Sequence, residues 1–283
     1  MYGEPFDNDP ASSALPWGNP RSAALPRIMQ GHTLARSLAF FFVFKGQACI
    51  DLVRHDTALA SGTVSQIVTP YGNTWQMGVG ASTVGGFLTR GGDTGYYNRT
   101  PSALSIACGA WNQAAITKPA VNGRNVFAYW ADDSSGANEL EVGLENGSSL
   151  MHGYCQVSGS SSAATATVSA PTPDGNATKV AATVAGSYTG GAVRVAYQSQ
   201  SPSGNQAAQA GVVSTTKTVV NLSQIFIGDQ FASAATGRAL LWVAGWFRAL
   251  SAADLAIAVN GAGLPPKGLL TPGHGVFIGA AAA

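Results

Sequence analysis

The chain has 283 residues, 46% of them hydrophobic but only 10% charged, and its formal net charge is +1. That length suffices for one large sandwich or two small domains, with a core that needs no disulfides. The charge shows no clustered positive footprint for a nucleic acid, and the most apolar run, 38–44, is far too short to cross a bilayer.

A typical domain carries about 25% charged residues. So few charges imply that part of the surface lies against neighbouring subunits. Three cysteines, Cys49, Cys108 and Cys155, are odd in number and widely spaced, with no C-x-x-C among them. That spacing argues against a zinc site or a redox pair. Buried free thiols of a protein made in a reducing cytoplasm are expected. The first ten residues, MYGEPFDNDP, have neither the basic nor the apolar region of a secretory signal.

Residues 1–33 hold five prolines, Pro5, Pro10, Pro16, Pro20 and Pro26, with Phe6, Leu15, Trp17, Leu25 and Ile28 between them. Proline at this density forbids helix and central strand. A solvated linker has no use for those apolar residues. The expectation is an extended arm, docked on a partner or wrapped on its own domain.

From residue 34 the text is that of an all-β sandwich, with short apolar pieces separated by turn residues. Expected strands cover 38–44, 64–68, 75–79, 87–88, 103–111, 125–130, 139–144 and 150–157. Residues 158–167 form a Ser/Ala/Thr tract, a loop or an edge strand. Strands at 179–186 and 193–197 follow, and then a longer loop, QSQSPSGNQAAQAG. Residues 222–228 make a strand closed by a glycine. In the strand 238–248 a two-residue period puts Leu241, Val243 and Phe247 on one side and Leu240, Trp242 and Trp246 on the other. Both sides are apolar, so both faces should be covered. Ser251 then reads as an N-cap with Asp254 three residues on, opening a helix over 252–260 that Gly261 ends.

The order of these last pieces resembles the C-terminal signature of laminin-G-like, concanavalin A-like jelly rolls. Ile225, Ile227 and Gly228 fit its I-x-I-G. Val243, Trp246, Arg248, Ala249, Leu250 and Ser251 fit V-x-I-W-x-R-A-L-S, and Asp254 and Leu255 fit the closing helix. Asp254 replaces the usual glutamate, and Phe247 fills a slot often held by asparagine. The opening GHTLARSL also resembles the G-H-P-L-A-R-G-L of phage-encoded members, through Gly31, His32, Leu34, Ala35, Arg36 and Leu38. Asp51, Leu52 and Val53 follow as D-L-V. Thr33 stands for the proline and Ser37 for the second glycine. KVAATVAG is similar to the family's H-V-A-A-T-x-D-G, with Lys179 for histidine and Ala185 for aspartate.

The resemblance implies a concanavalin A-like two-sheet jelly-roll sandwich over 34–261, with one short C-terminal helix. An extended N-terminal arm (1–33) and a proline-stiffened tail (262–283) flank it. Leu269, Leu270, Phe277 and Ile278 are the tail's apolar anchors. It further implies a phage virion component made in the host cytoplasm. Such a protein would be a capsid decoration or cement, or part of the tail. Its arms would hold major capsid or tail proteins and copies of itself.

Sites of chemistry are sparse. Glu139, Glu141 and Glu145 share strand parity, which invites comparison with glycosidases of this fold. The middle acid is not aspartate, however, and Gly143 and Leu144 occupy the places where the third acid belongs. Asp132, Asp133 and Asn138 form a turn that could ligate calcium. Tyr96, Tyr97, Trp130 and Tyr154 could form an aromatic platform for a sugar. No enzyme, metal or cofactor is expected. The alternatives are a tail or surface carbohydrate-binding module for adhesion to host glycan, and then a glycoside hydrolase.

Overall fold

The computed structural model describes residues 25–45, 48–62, 64–69, 72–77, 85–88, 104–112, 125–131, 139–144, 150–156, 164–169, 177–185, 191–199, 205–213, 224–229, 238–259 and 265–271. In chain order the strands are β1 (Arg27–Ile28), β2 (Leu38–Lys45), β3 (Ala48–Asp51), β4 (Asp56–Gly62), β5 (Val64–Thr69), β6 (Gly72–Met77), β7 (Gly85–Leu88), β8 (Leu104–Asn112) and β9 (Asn125–Ala131). They continue with β10 (Glu139–Leu144), β11 (Leu150–Gln156), β12 (Ala164–Ser169), β13 (Ala177–Ala185), β14 (Gly191–Ser199), β15 (Asn205–Val213), β16 (Gln224–Asp229), β17 (Arg238–Trp246) and β18 (Leu270–Thr271). A 3-10 turn spans Thr33–Ala35, and helix α1 spans Ala252–Val259.

The strands form a two-sheet antiparallel sandwich of jelly-roll type. One sheet runs β3-β2-β17-β8-β13-β14-β15, and the other β12-β11-β10-β9-β16-β7-β4. Strand β4 pairs with β3 on one side and with β7 on the other, so the two sheets meet through it. The Ser/Ala/Thr tract does supply an edge strand, β12.

The core has two layers. Between the sheets, β2 contributes Phe40, Phe42 and Phe44, all fully buried. The Phe40 ring meets Trp130 of β9 edge-on at 5.3 Å and Phe42 at 5.5 Å. The alternate residues of β2, Phe41 and Val43, point the other way. There they join Trp242, Ala244 and Trp246 of β17 and Leu255, Ala258 and Val259 of α1 in a second cluster. Phe41 stacks on Trp242 at 5.6 Å. The helix therefore covers the outer face of the first sheet, and β2 and β17 are buried on both sides. This explains why both strands read as unbroken apolar runs.

Two expectations need correction. The register of β17 against β8 shifts between Leu240 and Trp242, so Leu241 is the extra residue of a bulge. Leu241 thus joins the cluster under the helix, beside Trp242 rather than opposite it. Leu240 pairs with Ala110, two positions from Cys108, the partner of Val243, so Leu240 lies on Val243's face. The segment expected as a long loop after β14 also contains β15, paired with β14 along its length. Gln and Ala are weak strand formers, and here pairing overrides propensity.

Cys49 and Cys108 are buried, and neither is in a disulfide. Burial, and next the nearby Asp51 carboxylate, push the Cys49 thiol well above its usual range. Asp51 is itself fully buried, and its Oδ1 accepts from the backbone N–H of Phe41 and of Val53, each at 2.9 Å. It pins the β3–β4 turn to β2.

Candidate functional site

The second sheet offers the most suggestive surface. Trp130, Ala128, Ile225 and Ile227 alternate onto its inner face, where all are buried. The residues between them belong to the opposite face. Cross-strand register fixes which residues share it, because directly paired residues lie on one side. Glu141 of β10 pairs with Tyr129 of β9 and with Tyr154 of β11. Tyr154 pairs in turn with Thr165 of β12. One row therefore reads Tyr129, Glu141, Tyr154, Thr165 across four strands. The flanking rows add Glu139 opposite Gln156, and His152 opposite Thr167. At the β16 end, Phe226 pairs with Tyr129 and is buried at 7% exposure.

Several anticipated residues meet here and others do not. Glu139 and Glu141 share the face, as their parity required, whereas Glu145 lies outside the described residues. Tyr154 stands beside Glu141. Trp130 does not belong to the platform: it is 0% exposed, packed between Phe40 and Phe247 in the core. Tyr129, its neighbour in sequence, takes that place and was not anticipated. Strand parity separates it from Trp130, but the packing of Trp130 on Phe40 is what shows which of the two faces the core. Tyr96, Tyr97, Asp132, Asp133 and Asn138 lie outside the described residues.

The arm residues divide similarly. Leu269 is fully buried in the cluster beneath α1, and Leu25, Ile28 and Leu270 pack against that cluster, partly buried. Strand β1 pairs with β18, Arg27 opposite Thr271 and Ile28 opposite Leu270, so the two terminal segments bind each other. Phe6, Leu15, Trp17, Phe277 and Ile278 lie outside the described residues.

The two signature motifs meet at Arg248. Its Nη1 donates to Asp254 Oδ2 at 2.7 Å, its Nε to the Arg36 carbonyl at 3.1 Å and its Nη2 to the Thr33 carbonyl at 3.1 Å. Ser251 caps α1: its Oγ accepts from the Asp254 N–H at 3.1 Å and donates to Asp254 Oδ2 at 3.0 Å. Partial burial works to raise the Asp254 carboxyl, but hydrogen bonds from Arg248 and Ser251, with the Arg248 charge, hold it below its usual value. This is a structural clamp within the sandwich that carries the Tyr129–Thr165 row.

No family model matches this chain, and no curated protein matches it. Solved structures share its fold. The binding domain of botulinum neurotoxin DC, in complex with rat synaptotagmin II, superposes with a TM-score of 0.56 at 10% identity, over 81% of this chain and 52% of that one. Domain 4 of AbnA, a GH43 extracellular arabinanase from Geobacillus stearothermophilus, in complex with arabinotriose, gives 0.51 at 13% identity, over 77% and 96%. Trypanosoma rangeli sialidase gives 0.51 at 16% identity, over 88% and 36%. This chain thus spans about half of the neurotoxin domain and nearly all of the arabinanase domain. At these identities the likeness is one of fold.

Proposed function

We propose that this chain is a carbohydrate-binding module that recognises a glycan on the β9–β12 face. The observation that carries the reading is Glu141 in register between Tyr129 and Tyr154. Sugars present an apolar C–H face and a rim of paired hydroxyls. Tyrosine offers a flat apolar body with a polar tip, and a carboxylate accepts charge-assisted hydrogen bonds from hydroxyl pairs. The tyrosines stand two strand spacings apart, about 9–10 Å, the length of a disaccharide. Glu139, Gln156 and His152 extend the polar set along the same face. The sandwich is a fold found in a domain solved with arabinotriose and in a neurotoxin domain solved with SialylT, which supports binding over catalysis. A phage-particle role, on capsid or tail, draws nothing from the fold or from the similar structures.

Probing the full chain on a glycan array, then titrating the bound glycan by calorimetry, tests the reading. Tyr129→Ala, Tyr154→Ala and Glu141→Gln should each weaken binding about tenfold or more, one lost stacking or charged contact apiece, with unchanged melting temperature. Absence of any bound glycan, or binding that ignores all three substitutions, refutes it. Release of cleaved sugar that stops on Glu139→Gln would instead make the face a hydrolase site.

A further inference from the structure

A cleft lies where the N-terminal segment meets the β3–β4 turn. Its volume is about 490 Å³, within the range of small-molecule pockets. Its apolar lining includes Ile28, Leu38 and Val53, and its polar lining is Arg27, Gln30 and His55. Among the described residues that line it there is no carboxylate. All three polar residues are exposed, and each has hydrogen-bond donors to offer, the arginine a full charge in fork geometry.

The backbone of His55 gives an independent reason to look here. His55 is held at φ 59°, in the left-handed region, by the turn whose N–H(55) donates to the Asp51 carbonyl at 2.7 Å. A non-glycine residue there costs about 1–2 kcal/mol relative to ordinary backbone. Glycine would fill this position at lower cost. A side chain held in this strained conformation beside a cleft points to a use.

We infer that this cleft binds a small organic anion with an apolar body, its charged group on Arg27 and His55 and its body against Ile28, Leu38 and Val53. Charge complementarity selects the ligand: the described lining carries a cation and donors and no acid. The site is distinct from the β9–β12 face and stands without the glycan reading.

The test uses the full chain and two fluorescent probes. One is 8-anilinonaphthalene-1-sulfonate, an apolar body with a sulfonate. The other, N-phenyl-1-naphthylamine, has the same body without the charge. The sulfonate should bind one to one, and the neutral probe at least tenfold more weakly. Arg27→Gln should cost the sulfonate about tenfold, the loss of one charge-assisted contact. His55→Gly should also weaken binding severalfold while leaving the melting temperature equal or higher, which separates ligand contact from folding. Arg36→Gln, an exposed charge outside the cleft, should change nothing. Equal affinity for the two probes, undiminished binding in either cleft variant, a loss in Arg36→Gln as large as in Arg27→Gln, or no binding to the full chain overturns the inference.

Discussion

The indole N–H of Trp246 donates to the carbonyl oxygen of Leu34 at 2.6 Å, across 212 positions of sequence. It joins the last central strand to the turn that opens the sandwich. Trp246 is fully buried, so the Leu34 carbonyl relies on that donor rather than on water. Phe247 N–H reinforces the link by donating to the Ser37 carbonyl at 2.9 Å. Trp246→Phe keeps an aromatic ring but orphans a buried acceptor and leaves a void. The expected cost is about 2–4 kcal/mol, read as a lower denaturant midpoint with an unchanged slope. A loss under about 0.5 kcal/mol would mean that the carbonyl has another partner.

Arg248 and Asp254 make a related prediction with a pH signature. The side chains are 22% and 16% exposed, and the pair bridges α1 to the Thr33–Ala35 turn. Asp254 has a folded-state pKa below its unfolded value. Its contribution is therefore complete above the unfolded value, about 3.9, and disappears as pH falls through the lower folded value. Asp254→Asn should cost about 1 kcal/mol at pH 7, at the upper end for an exposed pair and discounted for solvent. The gap between variant and parent should close as pH drops below about 4. A gap that stays constant from pH 7 to pH 2.5 would assign the effect to capping geometry alone. Arg248→Lys keeps the charge but cannot reach Asp254 and both carbonyls in fork geometry, so it too should destabilise.

The legible parts of this chain are those whose local chemistry repeats the global arrangement. Ser251 and Asp254 announce α1, and capping by hydrogen bonds to the first turn is what they do. Strand β10 falls at 139–144, as its alternation required. Leu241 was misplaced because a bulge breaks the two-residue period without leaving a glycine or proline to mark it. Strand β15 was missed because Asn205–Val213 owes its form to β14 rather than to its own residues. At the candidate site the acids and Tyr154 were visible as types and parity. That Tyr129 and not Trp130 stands beside them depends on which face the second sheet turns to the core. Only contact with Phe40 decides that.

Gly245 shows how tightly that contact is made. A Cβ built on it would overlap the tip of the Phe40 ring. A free phenyl group could move aside, but Phe40 is fully buried and wedged between Phe42 and Trp130. Gly245→Ala should therefore cost about 1–3 kcal/mol of overpacking strain. Combining it with Phe40→Leu should cost less than the sum of the two single changes, because the smaller side chain makes room. Strict additivity in that cycle would show that the glycine is required for its backbone and not for the ring above it.

The opening turn departs from the pattern it resembles at two positions, and the geometry says what each departure costs. Ser37 stands where the pattern has glycine, and its φ is 59°, a left-handed conformation that glycine adopts freely and L side chains do not. Its carbonyl, the acceptor for Phe247 N–H, is kept in any substitution. Ser37→Gly should stabilise by about 0.5–1 kcal/mol, the relieved strain less the added chain entropy. Thr33 stands where the pattern has proline, at the first position of the 3-10 turn. His32 before it is extended, at φ −74° and ψ 140°, as a residue preceding proline must be. The Thr33 carbonyl, which accepts from Arg36 N–H and Arg248 Nη2, also survives the change. Thr33→Pro should add about 0.4–1 kcal/mol by restricting the unfolded chain. The positions are four residues apart in one turn, so the double variant is the sharper measurement. A melting temperature above that of either single variant is expected, and a fall below the parent would show that the turn is held by contacts these substitutions disturb.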